Sequence, residues 1–466
     1  MSSLPASLDT YLRANADRFL TELIGLLRIP SVSTLPEYRP DMERALEFLA
    51  ERMRAMGLEH VQRVLPAGHP QGAPLLYADW LHAPGAPTVL LYGHYDVQPP
   101  DPLPEWISPP FEPTVRNGNL YARGAADDKG QVYAQLMAVQ AWMQGSGSLP
   151  VNVKFLIEGE EEVGGEAIET YVRHHQGELA CDCVVVCDTA MYSSTLPSLD
   201  VGLRGMVYTE VEISGPSRDL HSGLYGGVAP NPFEGLARVI AGLKSPEGKI
   251  LVPGFYDRVR PPSAEELTAW RRLPFDEQAY REQELGAPML VGEAGFSVLE
   301  RTWSRPTLDL HGMPGGFTGP GSKTVIPARA GAKISMRLVP DQRPGEIFEQ
   351  FAAAVQALTP PAYRCSVKLL NAAVPVVIDP QNRYIRAAVA ALERVFHVAP
   401  VFVRSGGSVP IVALFATELK APIVMMGFGL PDDGLHSPNE KFSIANFHHG
   451  IRTLAEFFGE LPHSQA

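Results

Sequence analysis

The segment Pro87–Pro100, PTVLLYGHYDVQPP, predicts a buried strand with polar side chains at its end. Its apolar run is typical of a strand covered on both faces. The two prolines close the run, because proline lacks the N–H that a central strand donates to its neighbour. His94 and Asp96 stand two residues apart, so their side chains point to the same side of an extended chain. In α/β proteins, the carboxyl ends of the strands face the crevice in which ligands bind.

Helical and strand patterns alternate on both sides of this segment. Two amphipathic helices are predicted before it, in residues 8–29 and 41–57. After it come a helical pattern and two apolar strands, in residues 131–144 (QVYAQLMAVQAWMQ), 151–162 (VNVKFLIEGEEE) and 181–190 (CDCVVVCDTA). Strand, helix and strand in this order form the signature of a βαβ unit. The sequence therefore predicts an α/β fold with a mostly parallel, helix-covered sheet.

The pattern changes at about residue 205. The segments MVYTEVEISGP and GAKISMRLVP alternate apolar and polar residues, as strands with one solvated face do. Residues 260–321, which are rich in Pro and Gly, predict loops and short helices. A long helix and an apolar strand of the first kind return near the C-terminus, in 380–396 and 421–429. We therefore expect an α+β domain at 205–380, inserted into a first domain made of residues 1–204 and 381–466.

Composition narrows the functional class. The 466 residues carry a formal charge of -13, which disfavours nucleic acid and anionic membrane surfaces as partners. No apolar run is long enough to span a membrane and the first residues lack a signal-peptide pattern, so a cytoplasmic protein is predicted. Four cysteines do not make a disulfide framework. CDCVVVC places three of them on one face of a probable strand; buried small side chains explain this better than a thiolate metal site.

Acids and histidines concentrate where strands give way to loops. Any one of these residues has an ordinary explanation as a helix cap, a turn residue or a solvated charge. Together, two histidines and three carboxylates are the ligands that zinc or manganese prefers, and a pair of ions that shares one carboxylate needs about this number. The strand-end acids and histidines from which such a ligand set could be drawn are His94 and Asp96 in GHYDV, Asp127 in ARGAADDKG, Glu161 and Glu162 in EGEEEVGG, Asp188 in VVVCDTA, and His436 in GLHSPNE.

These motifs, in this order and spacing, resemble the M20 family of metallopeptidases, and within it the carnosinase-like dipeptidases. The resemblance covers nearly the whole chain. It implies two divalent ions, Zn²⁺ or Mn²⁺, bridged by Asp127, and it implies that Asp96 supports His94. It makes Glu161 the general base, although the three acids of EGEEE leave Glu160 as an alternative. The implied metal ligands are His94, Asp127, Glu162, Asp188 and His436.

The resemblance extends into the inserted domain through RDLHSGLYGG, KTVIPA and SMRLVP, and to RSGGSVP beyond it. It implies substrate-binding roles for His221, Thr324, Arg337 and Ser408. Arginine offers a planar fork to a substrate carboxylate, and a histidine can donate to a developing oxyanion. The ordinary alternatives are a surface strand arginine and a histidine that caps a turn. The resemblance also implies a lid and dimerisation role for the inserted domain, hence a homodimer in which His221 reaches the partner's site.

We therefore expect a two-metal hydrolase that cleaves the peptide bond of dipeptides or short peptides with a free C-terminal carboxylate. Glu161 would activate a water held between the metals. A deacylase of N-acyl amino acids and a carboxypeptidase share these motifs and stay open as alternatives. A catalytically silent binding protein on the same fold is disfavoured, because the base and all the ligands are present. An NAD-dependent oxidoreductase is disfavoured because no G-x-G-x-x-G joins an early strand to a helix.

Overall fold

A computed structural model describes residues 4–65, 68–69, 72–407 and 410–463 of the chain. Ser408, one of the predicted substrate-binding residues, lies outside the described residues. Within the described ranges, no helix has the length and apolar character needed to cross a membrane. The chain forms two compact units: the first comprises Met1–Val201, Ile378–Val403 and Leu414–Ala466, and the second comprises Gly202–Val377 and Arg404–Ala413.

The first unit is built on a mixed sheet. The four middle strands pair in parallel, and the two strands on either side of them pair antiparallel. The predicted α/β class is therefore confirmed, with parallel pairing confined to the middle of the sheet. The order across the sheet is Glu59–Val64, Leu75–Trp80, Asn152–Glu158, Thr88–His94, Cys183–Val186, Ile423–Met425, Ser198–Leu203 and Val376–Val377, and Val401–Ser405 also pairs with Ser198–Leu203.

Helices accompany this sheet. The amphipathic pattern of residues 8–29 forms two helices instead of the one predicted, because the chain leaves helical geometry at Asn15 (φ -111°, ψ 6°). The helix Lys129–Gly145 is buried over most of its length. It packs on the strand Thr88–His94, where Gly93 has no side chain. A Cβ at Gly93 would lie 2.3 Å from Val132 Cγ2. The helices are Ala6–Ala14, Ala16–Leu27, Arg39–Met56, Lys129–Gly145, Glu166–His174, Arg383–Phe396 and Ile444–Glu460.

The second unit contains a four-stranded antiparallel sheet with two helices, Pro232–Leu243 and Pro344–Leu358, packed on it. Along Gly205–Ser214 buried and half-buried residues alternate, as the sequence pattern predicts for a sheet with one covered face. Helices and sheet enclose a separate apolar core that includes Val211, Leu236 and Phe351. The strands in order are Thr307–Gly312, Arg329–Leu338, Gly205–Ser214 and Arg364–Ala373.

Short elements complete the chain. The segment predicted as loops and short helices also contributes a sheet strand, Thr307–Gly312, whose alternation is interrupted by exposed residues. Small strand pairs are formed by Leu220–His221 with Val325–Ile326, and by Thr114–Arg116, Asn119–Tyr121 and Lys441–Ser443. Short helices and turns are Pro36–Tyr38, Leu103–Glu105, Glu161–Val163, Ser222–Tyr225, Ala264–Arg271, Glu277–Ala279, Tyr280–Glu284, Val298–Trp303, Pro410–Leu414, Phe415–Leu419 and Leu461–His463.

Candidate active site

Three neighbouring parallel strands bring four of the predicted site residues, His94, Glu161, Glu162 and Asp188, to one edge of the first unit's sheet. His94 is the last residue of the middle strand, and it is paired in register with Glu158 at the end of the next strand. The turn that carries Glu161 and Glu162 begins three residues after Glu158. On the other side, Asp188 comes two residues after the end of Cys183–Val186. These side chains meet because parallel strands present their carboxyl ends at the same edge.

Two groups of potential metal ligands share Asp127. One contains His94, Asp127 and Asp188, and the other contains Asp127, Glu162 and His436; within each, one ligand atom per residue lies within 4.8 Å of the others. Asp127 Oδ1 is 3.1 Å from His94 Nε2, and Asp127 Oδ2 is 3.0 Å from His436 Nε2. Each oxygen of this carboxylate therefore faces a different histidine. His94 Nε2 also lies 3.8 Å from Asp188 Oδ2, and His436 Nε2 lies 3.4 Å from Glu162 Oε2.

Asp96 lies on the side of His94 away from this cluster. His94 Nδ1 is 3.2 Å from Asp96 Oδ1 and 3.1 Å from the Asp96 carbonyl oxygen. The other carboxylate oxygen accepts hydrogen bonds from Ser33 Oγ at 2.7 Å and from the Glu162 N–H at 3.2 Å. Both His94 and Asp96 are fully buried. The Nδ1 side of the ring is thus held by Asp96, and Nε2 points to the carboxylate cluster, which is how a metal-binding histidine is usually oriented.

The carboxylates are crowded enough to change their acidity. Burial, reinforced by neighbouring carboxylates, raises the pKa of Glu161, Glu162 and Asp188 to about 7 each. Burial also acts to raise the pKa of Asp127, but hydrogen bonds from His436 and His94 outweigh it and lower that pKa. The hydrogen bond to Asp127 raises the pKa of His436 to about 9. Buried like charges with imidazole nitrogens between them fit a pair of divalent cations, which would offset the repulsion.

Glu160 and Glu161 occupy different surroundings, although they are adjacent in EGEEE. Glu160 Oε1 accepts a hydrogen bond from the Ala73 N–H at 2.7 Å, so its side chain is directed to a neighbouring loop. Glu161 interacts electrostatically with His94 and Asp127, which places its charge in the cluster. The two acids are therefore distinguished by their contacts: Glu160 bonds to the loop at Ala73, and Glu161 interacts with the predicted ligands His94 and Asp127.

Two residues at the site were quoted in the sequence motifs but given no role. Gln98 Nε2 donates to Glu162 Oε2 at 2.7 Å. Glu440 is fully buried and accepts hydrogen bonds from the loop that carries Asp127. Gln98 has a sequence signal, since it continues the two-residue spacing of His94 and Asp96. Glu440 has none, because its partners lie more than 300 residues away along the chain.

The predicted substrate-binding residues of the second unit fall into two places. His221 and Thr324 are neighbours: the strand pair Leu220–His221 and Val325–Ile326 joins their segments, and the Thr324 carbonyl accepts from the Ser222 N–H at 3.1 Å. His221 Nδ1 accepts from the Gly223 N–H at 2.9 Å, so the neutral ring carries its proton on Nε2. The imidazole therefore caps a turn and can still donate. Arg337 lies in Arg329–Leu338, where burial lowers its pKa.

A third group of potential metal ligands lies away from the cluster, at the sheet-edge strand Glu59–Val64. It contains Glu59, His60 and Asp79, of which the first two are exposed. His60 Nδ1 is 2.8 Å from Asp79 Oδ1, and His82 Nε2 is 3.0 Å from Glu59 Oε2. These contacts are ion pairs of the kind found on many surfaces, and they account for the group without a metal.

The family model described as "Peptidase family M20/M25/M40" matches residues 90–460 of the chain. The Cys-Gly metallodipeptidase dug1 of Schizosaccharomyces pombe is 33% identical over 461 residues, which are 96% of this chain and 96% of the relative. The crystal structure of human carnosine dipeptidase 1 has a TM-score of 0.85 and 32% identity, and covers 98% of this chain and 99% of its own. The structure of the M20 family metallo-carboxypeptidase Sso-CP2 from Sulfolobus solfataricus has a TM-score of 0.85 and 31% identity. The match covers 96% of this chain and 99% of the Sso-CP2 chain.

Proposed function

Because the chain belongs to peptidase family M20/M25/M40, we propose that it is a two-metal dipeptidase. Its substrates are dipeptides or short peptides with a free C-terminal carboxylate. The observation that carries the proposal is Asp127, whose two carboxylate oxygens face two different histidines, each accompanied by a further carboxylate. The dipeptidase names of its relatives support the substrate class.

The donor set fits two divalent ions, Zn²⁺ or Mn²⁺. We assign His94 and Asp188 to one ion, Glu162 and His436 to the other, and Asp127 to both. When bound, such ions polarise a carbonyl group and lower the pKa of water. Asp96 and Gln98 orient ligands: Asp96 holds the Nδ1 side of His94, and Gln98 donates to Glu162.

Glu161 is the general base in this proposal. It accepts a proton from the attacking water and passes that proton to the departing amine, so the amine leaves in its neutral form. In the metal-free protein burial raises the pKa of Glu161 to about 7, toward the range in which a carboxylate can both accept and donate protons near neutral pH. Glu160 is not available for this role while its carboxylate is bonded to the Ala73 N–H.

The inserted domain supplies the remaining roles. His221 donates a hydrogen bond from its Nε2–H to the oxyanion that forms as the carbonyl is attacked, and Arg337 pairs with the substrate carboxylate. Thr324 and Ser408 keep the substrate-binding roles implied by the resemblance. We also propose a homodimer formed through this domain. Its support is apolar surface close to His221, where Leu224 is 75% and Val228 is 89% exposed. A cytoplasmic location also remains a prediction, and four free thiols agree with it.

A carboxypeptidase is the second candidate, because Sso-CP2 is as similar in structure as the dipeptidase. Metal-reconstituted protein should be assayed against matched dipeptides, tripeptides, blocked C-terminal amides and N-acyl amino acids. We expect rapid hydrolysis of dipeptides and little of their amides. Preference for longer peptides would favour the carboxypeptidase, and preference for N-acyl amino acids would favour a deacylase. A protein that binds no divalent metal and cleaves none of these substrates contradicts the proposal.

A further inference from the structure

Glu440 is a buried carboxylate whose two oxygens are both fully used. Oε1 accepts from the N–H groups of Ala126 at 2.9 Å and Asp127 at 3.1 Å. Oε2 accepts from the Gly124 N–H and from Arg123 Nη1, each at 2.9 Å. Four donors from one short segment therefore converge on one side chain, and this segment ends at the carboxylate shared by both ligand groups.

The charge of Glu440 is balanced inside the protein. Arg123 is 2% exposed, and its guanidinium also donates from Nη2 to the Pro99 carbonyl at 3.2 Å. The same guanidinium lies 5.5 Å from the ring centroid of Trp106. A buried ion pair needs partners for its remaining polar atoms, and the backbone N–H groups of the Asp127 segment supply them for the Glu440 carboxylate.

Glu440 and His436 belong to the same loop, four residues apart. That loop touches the Asp127 segment twice through side chains: His436 Nε2 contacts the Asp127 carboxylate, and Glu440 contacts the backbone behind it. A third contact joins the backbones, where the Glu440 carbonyl accepts from the Ala122 N–H at 3.1 Å. Glu440 thus fixes the distance between two predicted ligands that are 309 residues apart in sequence.

We propose that Glu440 is a positioning residue for the metal pair, and that it orients Asp127 so that one oxygen faces each histidine. This inference rests on the proposed two-metal function. Glu440 touches neither substrate nor metal in this role. It acts through the three N–H groups that set the backbone of Asp127, and through the loop it shares with His436.

A carboxylate is required because glutamine has only one accepting oxygen. In Glu440→Gln, an NH₂ group would face either the Ala126 and Asp127 N–H groups or the Gly124 N–H and Arg123. Two donors would then lose their acceptor, and Arg123 would be buried without its counter-charge. The segment would shift to relieve this, and Asp127 would shift with it.

The test compares Glu440→Gln with Glu456→Gln. Glu456 is also about 1% exposed and faces an arginine, Arg394, at 3.8 Å, but it is not among the predicted ligands or their contacts. Zn²⁺ and Mn²⁺ are titrated into each metal-free variant and the binding is measured by calorimetry. The free energy of unfolding of each variant is measured by denaturant titration. We expect Glu440→Gln to lower the affinity for both ions by about 10- to 100-fold, the usual effect of losing a residue that supports a ligand. Glu456→Gln should lose stability but keep metal affinity within about threefold, since its environment is not linked to the ligands.

Glu440→Asp covers the case in which Glu440→Gln does not fold. It keeps the charge opposite Arg123 but draws the oxygens back by one methylene, so metal binding should still weaken. Wild-type affinity in either folded variant, or equal weakening in Glu456→Gln, would overturn the inference while leaving the proposed function intact. A wild-type protein that binds no ion would instead refute the proposed function itself.

Discussion

Asp127 is the residue on which the two ligand groups depend, since its oxygens lie 3.1 Å from His94 and 3.0 Å from His436. We predict that Asp127→Ala loses both ions, because each group then lacks its shared ligand. Asp188→Ala and His436→Ala should each weaken the binding of mainly one ion. Elemental analysis after gel filtration measures the ratio of metal to protein. Loss of only one ion in Asp127→Ala would contradict the shared position.

Glu161 is expected to move protons without holding metal. Glu161→Gln should therefore keep both ions but lose about 10²- to 10⁴-fold in rate, the usual contribution of a general base. Glu160→Gln is the matched control: its carboxylate is bonded to the Ala73 N–H, so activity should persist. Rates at saturating substrate and metal content are measured together. The reverse outcome for the two variants would move the base to Glu160.

The raised pKa values predict how the metal-free protein responds to pH. Burial raises the pKa of Glu162 from 4.5 to about 7, so between these values the native group holds a proton that the unfolded chain has lost. The native state then binds more protons, and the free energy of unfolding should fall as pH rises from about 4.5 to 7. Glu161 and Asp188 act in the same direction.

Melting temperatures of metal-free protein at pH 5 and pH 8 test this, with Glu162→Gln as the comparison. The variant lacks one titrating group and should lose less stability between the two pH values. Added metal should reverse the trend, because the ions bind deprotonated ligands and stabilise the folded state more at high pH. An identical pH response in wild type and variant would mean that Glu162 does not titrate in this range.

At the scale of elements, a helix, a loop and the short strand Lys441–Ser443 approach one another closely beside Asp127. Gly130 stands in the first turn of Lys129–Gly145, and a Cβ there would be 2.0 Å from the Ala125 carbonyl oxygen. It would also be 2.7 Å from Phe442 Cδ1. A Cβ at this position therefore cannot be accommodated unless the backbone at Ala125 moves.

Gly130→Ala should therefore destabilise the protein by about 1 to 3 kcal/mol, the usual cost of overpacking, and weaken metal binding as the Ala125 segment shifts. Gly177→Ala is the matched control in the same unit, because a Cβ there meets nothing within 4 Å. Its stability should stay within about 0.5 kcal/mol. Denaturant unfolding and metal titration measure both effects. Unchanged stability and metal binding in Gly130→Ala would show that the start of the helix can move away from the loop without cost.

At the scale of the whole molecule, the proposed homodimer predicts that His221 works in the partner's active site. His221→Ala and Glu161→Gln homodimers should each be nearly inactive. An equal mixture, unfolded and refolded together, forms mixed dimers in which one site has both intact residues. About half the dimers are mixed and each has one good site of two, so roughly a quarter of wild-type activity should return.

Subunit exchange is verified by mass spectrometry of differently tagged chains. Activity that stays at the level of the parents in an exchanged mixture would show that His221 acts within its own chain. A protein that sediments as a monomer while fully active would contradict the dimer itself.

Much of the fold and of the cluster of potential metal ligands was predictable from short stretches of sequence. The apolar run before His94 identifies the middle strand, since burial on both faces requires continuous apolar residues. The predicted ligands His94, Glu162 and Asp188 end or closely follow strands, so their place at one sheet edge is also local information. The break at Asn15 and the strand Thr307–Gly312 were not predicted, because periodicity alone does not locate a kink or identify a strand with exposed residues.

Only the tertiary structure decided which loops meet. The strand order places Asn152–Glu158 and Cys183–Val186 on either side of Thr88–His94, which is not their order along the chain. This arrangement separates Glu160 from Glu161 by their contacts and brings Glu440 behind Asp127. Local patterns determine where a strand ends and which side chain stands there, because they depend on burial and backbone geometry. Contacts between loops 300 residues apart depend on how the elements pack, and no local pattern encodes that packing.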